Sequence, residues 1–225
     1  MHAKYLFKTL ILSILVALGV MAVSASAAQA KWLLLRGGAS VSELSLQGTL
    51  GNGALLELFG LELQIKCAGG TFTTTLKGGG TTALAGSASA TFTLCDDYGN
   101  PKNCTVSSPG DVDGTIKASG SGEGLMLGEK TYLNLSSSEF TTIAYGGALC
   151  PFNEVEAVVS GSVTLTVLSA TAQKTSHTVE LDDNVLTSGE SSAILHNGGE
   201  LGGSTIIGSA QEASGSTWAI QLTGL

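Results

Sequence analysis

The chain has 225 residues, of which 43% are hydrophobic and only 12% charged, and its formal net charge is −8. An acidic chain lacks the basic surface that displaces phosphate counterions, which excludes nucleic acid as a partner. Its carboxylates are scattered rather than massed, a pattern that serves solubility more directly than it serves cation buffering.

Residues 1–30 have the three parts of a secretory signal. His2, Lys4 and Lys8 precede an apolar run from Leu10 to Val23, and small residues follow, ending in Ala28-Gln29-Ala30. The run is shorter than the roughly 20 apolar residues that span a bilayer. Cleavage between Ala30 and Lys31 is therefore expected, and residues 31–225 are expected to be secreted or extracellular, with no later segment apolar enough to span a membrane. With three prolines in the whole chain and no charge-rich linker, this mature part reads as one β-rich domain.

Beyond the signal, apolar residues recur with period two, and Ser and Thr are the outward partners. Phe92 and Leu94 share one face of a strand, as do Trp218, Ile220 and Leu222. Farther along, Val155, Ala157, Val159, Val163, Leu165 and Val167 face one way while Glu156, Thr164 and Thr166 face the other. That segment is a strand pair or one long strand bent at Gly161. Turn signals stand between such runs: Gly51-Asn52-Gly53, Gly78-Gly79-Gly80, Gly99-Asn100-Pro101, Ser108-Pro109-Gly110 and Asn197-Gly198-Gly199. Gly120-Ser121-Gly122-Glu123-Gly124 reads as a further turn. Many short strands at such spacings predict an all-β sandwich or barrel. The expectation taken forward is a soluble antiparallel β-sandwich-like domain. A solenoid would show a fixed repeat, and an outer-membrane barrel would want aromatic girdles, whereas aromatics are only 5% of the sequence.

Cys67, Cys95, Cys104 and Cys150 in an exported chain predict two disulfides, and no C-x-x-C pair offers a zinc site instead. The polar turn between Cys95 and Cys104 makes a local bridge easy, which favours Cys95–Cys104 together with Cys67–Cys150. Cys67–Cys95 across a hairpin is the alternative.

The order of several segments resembles a group of secreted bacterial proteins of the actinobacterial type. The residues that carry the likeness are Trp32-Leu33-Leu34, Leu63-Gln64-Ile65-Lys66-Cys67, Phe92-Thr93-Leu94-Cys95, Cys104 leading to Gly114-Thr115-Ile116, and Cys150 followed by Val158-Val159-Ser160-Gly161-Ser162-Val163. The resemblance covers most of the mature chain and implies a secreted, cystine-braced β domain, with no catalytic residues to carry over. Leu149-Cys150-Pro151-Phe152 departs from the pattern, in which a Gly often follows the Cys.

Chemistry-bearing patterns are sparse. His177 and His196 have no second His or Cys at ligand spacing and read as ordinary exposed strand or turn residues. No serine stands in a G-x-S-x-G elbow, and no Lys-Ser/Thr follows a glycine cluster to make a phosphate loop. Asp96-Asp97 with Asn100, Asp111-x-Asp113-Gly114 and Asp182-Asp183-Asn184 offer hard oxygens that calcium takes, but Asp and Asn are also ordinary turn residues, and no cofactor is expected beyond that weak calcium reading. Asn103-Cys104-Thr105 and Asn134-Leu135-Ser136 fit the glycosylation pattern, which matters only in a host with that machinery. A polysaccharide hydrolase would need two carboxylates across a cleft, with Glu139, Glu154, Glu156 and Asp113 as candidates that otherwise read as solvated surface. The favoured expectation is a non-enzymatic protein of the cell exterior, structural or binding, with a cell-envelope component or carbohydrate as ligand class. The alternative is that hydrolase.

Overall fold

The computed structural model describes residues 31–51, 54–58, 63–78, 84–98, 103–127, 130–181, 193–196, 199–201 and 206–223. The signal segment and its Ala30 boundary lie outside them, as do Asn100 and Asp182-Asp183-Asn184. Every regular element among the described residues is a β-strand, as the period-two patterning predicts. In chain order these are β1 (Lys31–Arg36), β2 (Ala39–Val41), β3 (Glu43–Leu50), β4 (Ala54–Leu58), β5 (Leu63–Lys77), β6 (Leu84–Tyr98), β7 (Thr105–Ser107) and β8 (Ile116–Leu127). They are followed by β9 (Lys130–Gly146), β10 (Glu156–Val167), β11 (Ser176–Leu181), β12 (Ala193–His196), β13 (Gly199–Leu201), β14 (Ile206–Glu212) and β15 (Trp218–Thr223).

Strands β3, β5, β6, β8, β9, β10, β11 and β14 pair antiparallel in chain order. The last then returns to the first, Gly208–Glu212 of β14 lying against Leu46–Leu50 of β3. The sheet is thus an up-and-down ring, with β4, β7, β12 and β13 extending its margins. Closure removes the unpaired edges that an open sheet of this length would present.

Eight strands leave an interior just wide enough for side chains to fill, and here they fill it. Leu44, Leu46, Phe72, Leu76, Leu84, Leu133, Leu135, Phe140, Val167, Val179 and Ala210 form one buried cluster fed from opposite walls. Among the described residues a cavity of about 20 Å³ remains between them. The Gly120–Gly124 segment is part of this packing: it lies inside β8 and is a strand, not a turn. Gly120 is needed because the Phe140 ring occupies the space of its side chain, with ring Cε1 nearest to where a Cβ would stand. The predicted bent strand at Val155–Val167 is β10, and its register shifts between Val159 and Gly161. Thr164 and Thr166, outward by alternation, are nevertheless buried, as is Tyr132 opposite Thr166, so this stretch of wall is covered on both faces.

One end of the ring, where β3 begins and β5 and β14 finish, is stopped by the three-stranded sheet β15-β1-β2. Trp32, Leu34, Trp218 and Ile220 project from it into the main core. His177 of β11 is 2% exposed rather than an exposed strand residue. Its Nε2 lies 3.0 Å from the Trp218 carbonyl oxygen and its Nδ1 3.3 Å from that of Leu168, with the ring tilted against the Trp218 indole. Ring N–H donation thus ties the barrel wall to the plug, because a buried imidazole without such partners would be costly. His196 lies in β12.

A second tie is ionic. Glu212, 3% exposed at the end of β14, stands 3.0 Å from Arg36 Nε of β1 and accepts from both the hydroxyl and the backbone N–H of Ser214. The Ser214 hydroxyl above all, then its N–H and the Arg36 charge, hold this carboxyl below its ordinary range against the opposing effect of burial. A carboxyl lowered in the folded state adds stability above its unfolded pKa of about 4.3, and that stability is lost as pH falls through the folded value. Glu212→Gln should therefore destabilise by roughly 1 kcal/mol near neutral pH. Denaturant titrations should show the gap from wild type shrinking as pH falls below the unfolded value of about 4.3 and through the lowered folded one.

Candidate functional site at the cystine end

The opposite end, where β5 and β10 begin and β6 and β9 finish, holds both disulfides. They are Cys67–Cys95 and Cys104–Cys150, so the pairing favoured on sequence proximity is replaced by the hairpin alternative. The reason is register: Cys67 and Cys95 stand directly opposite each other on β5 and β6, where cross-strand side chains meet. Cys104 enters β7, which runs along the end of β9, and Cys150 follows from β9 through a turn at Gly147. All four sulfurs are packed in a second core with Ile65, Val106, Ile116, Ile143, Tyr145 and Val159.

Strict alternation would have pointed Cys95 to solvent. On β6 the inward residues Leu84, Ala88, Ala90 and Phe92 are even-numbered, yet Cys95 is buried. The switch occurs at Leu94, whose φ of 52° is a left-handed conformation uncommon for a leucine and which is 76% exposed. Beside it the 108–115 loop folds back: Cys95 N–H donates to Gly114 O over 2.9 Å, and Gly114 N–H donates to Val106 O over 2.7 Å. Ser108-Pro109-Gly110 is the turn its sequence predicts, with Asp111 N–H returning to Ser108 O.

The candidate chemical residues are not buried in a cleft. Asp113, Glu139, Glu154 and Glu156 are each exposed, and the Glu139 carboxylate accepts from Thr142. Asp96 and Asp97 lie in β6 rather than in a loop, Asp96 accepts from the Asp97 N–H, and Asp111 is paired with Lys117. Among the described residues no group of three His, Cys, Asp or Glu is placed to hold a metal ion. Tyr145, which sequence reasoning did not single out, is 3% exposed; burial first, and then the nearby Asp97 charge, push its phenol well above the ordinary range. It stays protonated and is no acid–base group near neutral pH.

Two surfaces are left. The outer wall carries hydroxyls in register: Thr71, Thr73 and Thr75 of β5 stand opposite Thr91, Ser89 and Ser87 of β6, and the last two face Ser119 and Ser121 of β8. These are polar positions where a lipid-facing barrel would need an apolar band. Large apolar side chains emerge instead at the cystine end, where Leu94, Val112, Leu149, Val155 and Val158 are exposed.

A non-reducing peptide map should return Cys67–Cys95 and Cys104–Cys150, and Cys95–Cys104 would contradict the register. On the chain-entropy model, with separations of 28 and 46 residues, losing either bridge should cost about 3.5 to 4 kcal/mol in thermal or denaturant unfolding.

No helix among the described residues is long and apolar enough to cross a membrane. Set against protein-family models, curated proteins and solved structures, the chain matches none of them.

Proposed function

We propose that the protein is exported and acts through its outer surface, as a binding or structural component of the cell exterior and not as an enzyme. The observation that carries this reading is the filled barrel. A void of about 20 Å³ admits no more than a water, whereas ligand pockets are on the order of 300–1,000 Å³. Among the described residues the core therefore offers no room for a ligand larger than a water, which favours recognition on the outside of the ring.

Export is supported by the signal pattern of residues 1–30 and by two disulfides, which persist in oxidising compartments. The ligand class that suits a hydroxyl-covered wall and an acidic chain is a cell-envelope component, either protein or neutral glycan. Hydrolysis of polysaccharide would need a carboxylate pair facing one cleft, and the four candidates stand exposed on strands and turns.

The test is to incubate the purified protein with insoluble cell-wall polysaccharides, measuring both co-sedimentation and release of reducing ends. Retention on the wall without release is the expected result. Sustained release that Glu154→Gln or Glu156→Gln abolishes would overturn the reading in favour of the hydrolase.

A further inference from the structure

We propose that the cystine end is a docking surface for a protein partner that presents apolar side chains flanked by Lys and Arg. This deepens the binding reading above and rests on it. All five large hydrophobic residues exposed among those described lie at this one end, with Val112, Leu94 and Leu149 at 75%, 76% and 79%. The barrel wall elsewhere turns Ser and Thr outward, so the clustering is not the ordinary scatter of apolar surface.

Backbone strain concentrates at the same end. Among the described residues four non-glycines have left-handed backbone, and Leu94, Asn103 and Glu154, at φ values of 52°, 58° and 66°, belong to this end. Leu94 adjoins Cys95, Leu149 adjoins Cys150, and Val112 sits in the loop that Gly114 bonds to Cys95 and Val106. Two cystines and a buried second core therefore hold these side chains outward in fixed positions. Fixed positions are what a binding surface needs if little order is to be lost on association. A leucine kept in a strained conformation with its side chain in water is otherwise a defect.

Charge selects the partner. Asp113, Glu154 and Glu156 are exposed beside Val112 and Val155. The described cations of this end stand beside carboxylates: Lys117 pairs with Asp111, and Lys66 lies opposite Asp96 in the ladder. An apolar patch with a negative surround complements an apolar patch with a positive one, and disfavours anionic lipid.

The probe is a labelled synthetic helical peptide of leucine and lysine, with the same pattern built from leucine and glutamate as its counterpart. Binding is read by fluorescence anisotropy at low and high salt, with wild type, the Leu94→Asn/Leu149→Ser double variant and Thr73→Val on the outer wall. The leucine–lysine peptide should bind wild type and Thr73→Val alike, more weakly as salt rises, and lose about tenfold or more in affinity for the double variant. That variant should melt no lower than wild type, because Asn tolerates the left-handed backbone and Leu149 is almost wholly exposed. Equal affinity for the double variant, or equal binding of the leucine–glutamate peptide, would overturn the proposal. So would a wild-type dimer that the double variant dissolves, or binding to neutral lipid vesicles that it abolishes. Retention on polysaccharide with no peptide binding would sink this docking surface and leave the broader reading standing, whereas hydrolytic activity would sink that reading itself.

Discussion

The pairing of β14 with β3 is the constraint on which the rest of the molecule depends. Five residue pairs, Gly208–Leu50 through Glu212–Leu46, join the end of the chain's long meander to its beginning. Without them the ring would open and leave two long edges, one of them the Thr- and Ser-bearing β3, free to pair with another chain. With them, the inward residues of both walls share one core, and every inward side chain must fit a fixed width. Gly86 of β6 and Gly120 of β8 leave room that Leu133 and Phe140 take up. The large side chains of one strand thus set the small ones of its neighbours, in the way close-packed interiors require.

Closure also decides what the ends do. At one end the strands that flank the meander in sequence, β1 and β15, pair with each other and lay Trp32, Leu34, Trp218 and Ile220 over the core, held by His177 and by the Arg36–Glu212 pair. At the other end no such sheet is in place among the described residues. A second small core built on two cystines takes its part. Covalent bridges suit that place, because the sheet is thin there: β7 adds only three residues to it. The functional reading follows from the same division. Among the described residues the ring is closed, filled and stopped at one end, which leaves its outer wall and the cystine end as the surfaces the proposed function uses.

The class of fold was legible because alternation of apolar residues with Ser and Thr needs no long-range information: a strand with one dry face reads that way wherever it sits. Alternation failed where the inward side changes parity. Ile65 and Cys67 are inward on β5, but so are Phe72, Thr74 and Leu76, and the change falls at Gly69-Gly70. On β6 it falls at Leu94, through a left-handed backbone that leucine does not advertise. The disulfide pairing is set by register, which puts Cys95 directly opposite Cys67, and the parity switch turns that pair inward. Proximity in sequence therefore pointed to the wrong partner. The glycines of β8 were misleading for a related reason: Gly120-Ser121-Gly122 looks like a turn until Phe140, twenty residues on, is seen to occupy the glycine's space. Of the candidate site, the cysteines and the exposed carboxylates could be named from sequence. The exposed apolar residues at the cystine end could not, because Leu94 and Val112 read as core residues in any pattern that ignores backbone handedness.

Native-state hydrogen exchange on the two strands that close the ring tests the account most directly. The ladder amides of β3 and β14, from Leu46–Leu50 and Gly208–Glu212, should exchange as slowly as those of the central β5–β6 pair and through the same global opening. Rapid exchange at β3 and β14 while β5 and β6 stay protected would mean an open sheet, and would contradict both the closed core and the surface-bound function inferred from it.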